Sequence, residues 1–174
     1  MPDIAPPPDH CACTPDADRV ADLHPQVQGY VAGFLIDADR DAVLLIRKRR
    51  PSWQAGRLNG VGGKIEAGET PAQAMRREFR EEASLDISSW DHFLYLTFPA
   101  GAVWFFRAFA DQRVLAAATA GTDEPLELCQ IGDLLGPAAP IIANLRWILP
   151  LAAHRHDRYA PTFVSEIAGG ALSS

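Results

Sequence analysis

Gly63-Lys-Ile-Glu-Ala-Gly-Glu69-Thr-Pro-Ala-Gln-Ala-Met-Arg-Arg77-Glu78-Phe79-Arg80-Glu81-Glu82-Ala83-Ser84-Leu85 is a glycine-bounded turn running into a helix. Thr70 is the N-cap, Pro71 fills the first helical position and Gln73 closes a capping box. Ala72, Met75, Phe79 and Ala83 recur at helical spacing and form the apolar stripe. Glu78, Glu81 and Glu82 stand at i, i+3 and i+4, so their carboxylates lie side by side, on a different face from the stripe. Three adjacent negative charges repel, and the arrangement costs stability unless a cation fills the gap. Mg²⁺ or Mn²⁺, which take oxygen ligands, are the natural candidates. The bland alternative is a solvated face laced by Arg76, Arg77 and Arg80 through weak surface ion pairs.

Working outward, Asn59-Gly60-Val-Gly62-Gly63 is a turn whose backbone is nearly bare. Ahead of it, Arg50 to Leu58 reads as a loop opened by Pro51 and broken by Gly56. Gln28 to Asp37 and Ala42 to Arg49 are apolar, β-prone runs joined by Ala-Asp-Arg-Asp, and should pair as a hairpin. After the helix, Phe93 to Pro99 and Ala102 to Ala110 read as a second hairpin around Ala100-Gly101, and Glu127 to Ile131 as a short strand. Pro140 to about Ala153 reads as a second helix with a kink or break at Pro150. This order predicts an α/β fold, a sandwich of mixed β-sheet with flanking helices.

The 174-residue chain is long enough for one domain with a real core, and 48% of it is hydrophobic. No apolar run approaches the roughly 18 residues of a membrane span. Residues 1–25 are rich in Pro and Asp and read as a disordered tail ahead of a domain over 26–170. The opening Met-Pro-Asp-Ile-Ala-Pro-Pro-Pro-Asp has neither basic nor apolar signal region, so a cytoplasmic location is expected. The net charge of -6 argues against long nucleic acid as partner and leaves room for a small anionic ligand. Cys11, Cys13 and Cys129 give no disulfide framework. His10, Cys11 and Cys13 lack a fourth ligand for structural zinc. His154, Arg155, His156 and Arg158 read as cations complementing the end of the second helix.

Residues 63–85 resemble the Nudix box, G-x5-E-x7-R-E-U-x-E-E-x-G-U, where U is bulky and aliphatic. Gly63, Glu69, Arg77, Glu78, Glu81, Glu82 and Leu85 occupy its positions. Phe79 stands for an aliphatic residue and Ser84 for the glycine that ends the helix. Without glycine, a left-handed cap there costs about 1 kcal/mol or shifts. Agreement at this many fixed spacings is far more specific than a lone glycine motif. The resemblance implies the Nudix α-β-α sandwich and a Mg²⁺-dependent hydrolase that cleaves a phosphoanhydride. It implies that Glu78, Glu82 and the Gly62 carbonyl bind metal, with Glu81 in a metal or supporting role. It also implies that Arg77, paired with Glu69, orients the catalytic glutamates. Divalent ions offset the charge that grows on phosphate oxygens, which is what such a cluster is for. Asp123 or Glu124 is a candidate further acid.

Lys64 is the phosphate contact that family members often carry, and Arg47-Lys48-Arg49-Arg50 offers further cations. Arg57-Leu-Asn59-Gly-Val-Gly-Gly-Lys64 resembles the stretch in Nudix enzymes that hydrolyse oxidised purine nucleoside triphosphates such as 8-oxo-dGTP. There the asparagine hydrogen-bonds the base, and an amide suits a purine edge because it donates and accepts. The competing account of Asn59 is the positive φ of an Asn-Gly turn. Asn144 on the second helix is a possible second base reader, although Asn144 and Leu145 replace the acidic pair found in those enzymes. Trp53 is a stacking candidate, while Trp147 reads as core. The expected activity is release of a nucleoside monophosphate and pyrophosphate from a triphosphate. A nucleoside diphosphate sugar or dinucleotide substrate, and a non-catalytic nucleotide-binding module, are the alternatives.

Overall fold

The computed structural model describes residues 28–154 and 162–165. The expected tail with His10, Cys11 and Cys13, and also Arg155, His156 and Arg158, lie outside the described residues. In chain order the elements are β1 (Gln28–Asp37), β2 (Ala42–Arg47), β3 (Leu58–Asn59), α1 (Pro71–Ala83), β4 (Asp91–Phe98), β5 (Gly101–Phe109), α2 (Gln112–Ala116), β6 (Leu126–Gln130), α3 (Ile131–Leu134), α4 (Leu145–Ala153) and β7 (Thr162–Ser165).

β1 is buried from Val31 onward on both faces, which suits the middle of a sheet covered on either side. It pairs in parallel with β5, from Gln28↔Gly101 to Ile36↔Phe109. It pairs antiparallel with β2 only over Leu35↔Leu44 to Asp37↔Ala42, the expected hairpin. β4 and β5 form the second expected hairpin, and β7 adds in parallel to β4. The mixed sheet runs β3-β2-β1-β5-β4-β7, with β6 on β2.

Helices cover both faces, as the α/β sandwich reading expected. On one face Met75, Phe79 and Ala83 of α1 and Leu115 of α2 pack on Val31, Leu35, Trp104 and Phe106. On the other, Ile131 and Leu134 of α3 and Leu145, Ile148 and Leu149 of α4 pack on Phe34, Ile36, Leu45 and Phe105. Each fully buried Leu, Ile, Met or Phe among them contributes about 1.5–3 kcal/mol relative to exposure.

α1 begins as the capping box requires: Thr70 accepts from the Gln73 N–H, and Gln73 accepts from the Thr70 N–H. It ends at Ser84, which adopts φ 55° and ψ 25° and donates its N–H to the Arg80 carbonyl. The left-handed cap therefore forms without glycine. The buried stripe differs from expectation at one point. Ala74 is buried and Ala72 exposed: Ala72 shares the bearing of Phe79 and Ala83 but sits in the first turn, about two or more turns short of them along the axis.

The second helix starts later than expected, at Leu145, because Pro140 to Asn144 is used to reach the sheet. There Leu58 bridges Ile141, donating to the Pro140 carbonyl and accepting from the Ile142 N–H. The expected break at Pro150 does not occur. Pro150 is exposed and the helix runs through it to Ala153. The loop expected up to Leu58 ends one residue early, since Leu58 and Asn59 pair with Arg47 and Ile46 as β3. The short helices α2 and α3 and the strand β7 carry too little periodicity to have been expected.

A glycine strap, two buried carboxylates and an open cavity

β2 leaves β1 early, and the strap formed by residues 61–64 takes its place along the first half of β1. Gly33 exchanges hydrogen bonds with Val61, and the Val31 N–H donates to the Gly63 carbonyl at 2.8 Å. The approach is close: a Cβ on Gly62 would meet the Val31 carbonyl and lie 2.9 Å from the Ala32 Cα. Because Val61 and Gly63 turn their carbonyls into β1, Gly62 presents its N–H and carbonyl to the other side. Its N–H donates to Glu82 Oε2 at 3.0 Å. No described residue donates to its carbonyl.

Two of the three glutamates lie where the apolar stripe was expected to exclude them. The side chains of Glu78 and Glu82 are only 14% and 12% exposed, whereas that of Glu81 is 55% exposed. Positions 78 and 82 fall inside the arc bounded by Ala74 and Ala83 at about 100° per residue, so they point at the strap and only Glu81 faces outward. The different-face reading is thus corrected. Gly63 leaves room for this, since a Cβ there would sit 2.6 Å from the Glu78 carboxyl carbon.

Cations of the chain hold these carboxylates. Arg77 grips Glu69 with two bonds of 2.7 and 2.9 Å and donates to Glu78 at 2.8 Å, to Glu81 at 3.3 Å and to the Lys64 carbonyl at 3.0 Å. Its hydrogen bonds to Glu69 lower that acid's pKa and raise its own. Lys48 Nζ lies 3.7 Å from Glu82 and bonds Glu124. Burial pushes the Glu82 carboxyl up, assisted by the negative charges of Glu78 and Glu124 and opposed by Lys48 and the Gly62 N–H. Burial raises Glu124 as well, but Lys48 and the N–H groups of Arg49 and Arg50 outweigh it and hold this acid below its ordinary value. Arg76 takes no part: it pairs with Asp86.

The loop after α2 brings Glu124 here. Thr119 and Gly121 donate to the carbonyls of Ala83 and Glu82 at 3.1 and 2.9 Å, satisfying the end of α1, and the chain then turns Glu124 inward. Asp123 stays outside, bound to Arg50 at 2.6 Å. Of the two candidate further acids, Glu124 alone reaches the cluster. The Lys48–Glu124 pair was not legible in the sequence, because its partners are 76 residues apart.

Among the described residues no three His, Cys, Asp or Glu side chains converge on one point. Arg77 draws Glu78 one way and Lys48 draws Glu82 the other. The donors nevertheless suit a hard divalent cation. They are carboxylate oxygens, two of them desolvated, beside a main-chain carbonyl with no donor.

Beside the strap lies an open cavity of about 770 Å³. Asn59, Lys64 and Asn144 all line it, as do Lys48, Arg50 and Trp53. Its floor is apolar, from Leu96, Phe98, Val103 and Phe105. Asn59 is not a positive-φ residue: Asp41 and Ser84 are the non-glycine residues of that kind among those described. The turn account of Asn59 therefore fails, and its amide instead bonds Gln54 and Gly60. Asn144 Oδ1 is buried without a hydrogen-bond partner. Arg47 is engaged by Glu127 and Arg146 by the carbonyls of residues 135–137. Trp147, expected in the core, is 37% exposed and lies outside the cavity lining.

The NUDIX domain profile matches residues 27–161, most of the chain. The chain belongs to the Nudix family. Over 47 residues it is 49% identical to an oxidized purine nucleoside triphosphate hydrolase of Danio rerio, covering 27% of this chain and 30% of that protein. Over 55 residues it is 36% identical to an 8-oxo-dGTP diphosphatase of Escherichia coli, covering 32% of this chain and 43% of that protein. The chain thus matches less than half the length of these curated relatives. In fold it is similar to MutT from Aliivibrio salmonicida and Vibrio cholerae, with TM-score 0.57 and 21% identity over 74% of this chain and 98% of the other. The Nudix box itself spans the strap and α1, and its departure at Ser84 is absorbed by the left-handed cap. No helix among the described residues is long and apolar enough to cross a membrane.

Proposed function

We propose that this Nudix domain is a Mg²⁺- or Mn²⁺-dependent pyrophosphohydrolase. Its substrate is a purine nucleoside triphosphate, including oxidised purines of the 8-oxo-dGTP kind, and its products are the nucleoside monophosphate and pyrophosphate. The observation that carries this reading is the burial of Glu78 and Glu82 against Gly62 and Gly63 at the edge of a cavity lined by lysines and asparagines. The names of the relatives over the matched segments favour the same substrate class. A small nucleotide of this kind accords with a cytoplasmic setting.

Glu78, Glu82 and the Gly62 carbonyl would hold the divalent cation, with Glu81 and Glu124 as the nearest further acids. When bound, the cation offsets charge on the phosphate oxygens and makes water more acidic. Arg77, anchored by Glu69, keeps Glu78 turned toward the strap. Lys64 and Lys48, both in the cavity lining, attract the phosphate chain, which favours a bound nucleotide with its phosphates beside α1. Asn59 and Asn144 face the base, and the apolar floor and Trp53 give its ring a surface to lie on. An acid of the cluster takes the proton from the attacking water.

A panel of purine, oxidised purine and pyrimidine triphosphates, nucleoside diphosphate sugars and dinucleotides, assayed with Mg²⁺ for both phosphate products, tests this. Monophosphate and pyrophosphate from purine triphosphates are expected. Preferential cleavage of sugar nucleotides would replace the substrate class. Binding without turnover of any of them would leave a nucleotide-binding module.

A further inference from the structure

Asn59 is held at both ends of its amide. The Gly60 N–H donates to Asn59 Oδ1 at 2.8 Å, and Asn59 Nδ2 donates to Gln54 Oε1 at 3.1 Å. A backbone N–H can only donate, so it fixes which end of Asn59 is oxygen. Asn59 must then present its NH₂ to Gln54, and Gln54 must answer with its oxygen. One peptide N–H thereby sets the sense of two side-chain amides in series. Gln54 Nε2 is left with no partner among the described residues, and both residues line the cavity.

Gln54 is itself well anchored. Its N–H donates to the Pro51 carbonyl at 2.9 Å, and its own carbonyl accepts from Arg57 at 2.9 Å. The loop around it is closed by Lys48 and Arg57 at 2.9 Å, by Gly56 to Lys48 at 2.8 Å, and by the Arg47 guanidinium on the Gly56 carbonyl at 2.7 Å. A side chain rooted in so many bonds loses little entropy in holding Asn59. Released from Gln54, Asn59 keeps its Oδ1 on the Gly60 N–H, but its NH₂ loses the partner that fixes the tilt of the amide, and the Gln54 donors leave the cavity wall.

We propose that Gln54 is a specificity-determining positioning residue: it gives the Asn59 amide, whose sense Gly60 sets, its second hold and adds its own Nε2, so that donors from Asn59 Nδ2 and Gln54 Nε2 line the base side of the cavity. A base edge bearing a ring carbonyl is then favoured over one bearing an exocyclic amine in the same place, because an amine leaves those donors facing other donors. The inference rests on the nucleotide-hydrolase reading and extends it to the choice between 6-oxo and 6-amino purines.

The test compares wild type, Q54A and Q54E for the ratio of kcat/KM on GTP and ATP with Mg²⁺. The ¹⁵N-resolved Asn59 side-chain amide signal is followed in parallel. Glutamate keeps an oxygen to accept from Asn59 and removes the Nε2 donors, whereas alanine removes both. In wild type the ratio should favour GTP. In Q54A it should fall about fivefold or more and the two Asn59 amide protons should shift and exchange faster. In Q54E the Asn59 signal should stay near its wild-type position, with the ratio between the other two. An unchanged ratio in Q54A beside an active wild type overturns the role of Gln54 and leaves the hydrolase reading standing. Loss of rate on both nucleotides in equal proportion, with the ratio intact, overturns it in the same way. If wild type turns over neither of these nor any oxidised purine triphosphate, the hydrolase reading fails and the inference falls with it; turnover of an oxidised purine alone overturns the 6-oxo preference among ordinary purines and leaves the hydrolase reading standing.

Discussion

Gly62 and Gly63 are adjacent glycines kept for different reasons. At Gly62 the obstacle to a side chain is the backbone of β1, which cannot give way. At Gly63 it is the end of the Glu78 side chain, which can swing aside. G62A should therefore lower stability by at least about 2 kcal/mol, since overpacking against rigid backbone is not relieved by a rotamer change. G63A should melt close to wild type and yet lose most of its activity, because Glu78 is pushed from the strap. Denaturant titration and a turnover assay on both variants check the pair. Glu82 supplies a second contrast at this scale. Burial raises its pKa, so the cost of keeping it charged is present above that raised value and disappears as pH falls through it. E82Q removes the charge and keeps the shape. Its melting temperature should hold or rise while turnover falls on the order of 10²–10³-fold. Near-wild-type turnover would move the metal away from Glu82.

At the level of the element, the start of α1 is legible in the sequence because a capping box is a local device whose partners are three residues apart. Its C-terminus is where the chain departs from the Nudix box, and the structure shows the departure being tolerated at a cost. Ser84 holds φ 55° with a Cβ that the left-handed region disfavours. S84G should raise stability by about 0.5–1 kcal/mol, the strain relieved being partly offset by the greater freedom of glycine in the unfolded chain. Thermal denaturation would detect it, and a loss of stability instead would mean that the Ser84 hydroxyl contributes to the cap. The face of α1 was harder to read. A helical wheel places Glu78 and Glu82 within the arc bounded by the buried Ala74 and Ala83, whereas charge alone points them outward. They look inward because the strap offers them an N–H and a space without a Cβ.

For the whole molecule, the acid limb of stability should be governed by groups that the fold buries in one charge state. His92 on β4 is half-buried beside Phe106, with Nε2 donating to the Leu94 carbonyl and a buried Nδ1 lacking a partner. Burial lowers its pKa to about 4 from 6.5. The unfolded chain therefore binds this proton more readily than the folded one. The stability associated with neutral His92 is full above pH 6.5 and is lost as pH falls toward 4, by up to about 3 kcal/mol. Glu69 and Glu124, whose pKa values are lowered, add to the loss at still lower pH. Urea melts between pH 7 and 4 should show this slope, and H92Q should flatten it. An equal slope in H92Q would assign the acid limb to the carboxylates alone.

What the sequence determined by itself was everything carried by neighbours along the chain. The two hairpins, the capped helix and the i, i+3, i+4 glutamates are each specified within a few residues, and local propensity agrees with the fold there; the bare glycine stretch, expected as a turn, is instead an extended strap on β1. Tertiary structure alone decided which glutamates turn inward, that Asn59 belongs to a strand and not to a turn, and that Glu124 and not Asp123 approaches the cluster. It also decided where the second helix begins, since Pro140 to Asn144 is held to Leu58 by bonds that no local pattern announces. Each of these depends on a partner brought from farther along the chain: Gly62 to Glu82, Asn59 to Ile46, Lys48 to Glu124. Their geometry follows from β1 and β2 separating early enough for the strap to lie between β1 and α1, and that separation is a property of the assembled sheet.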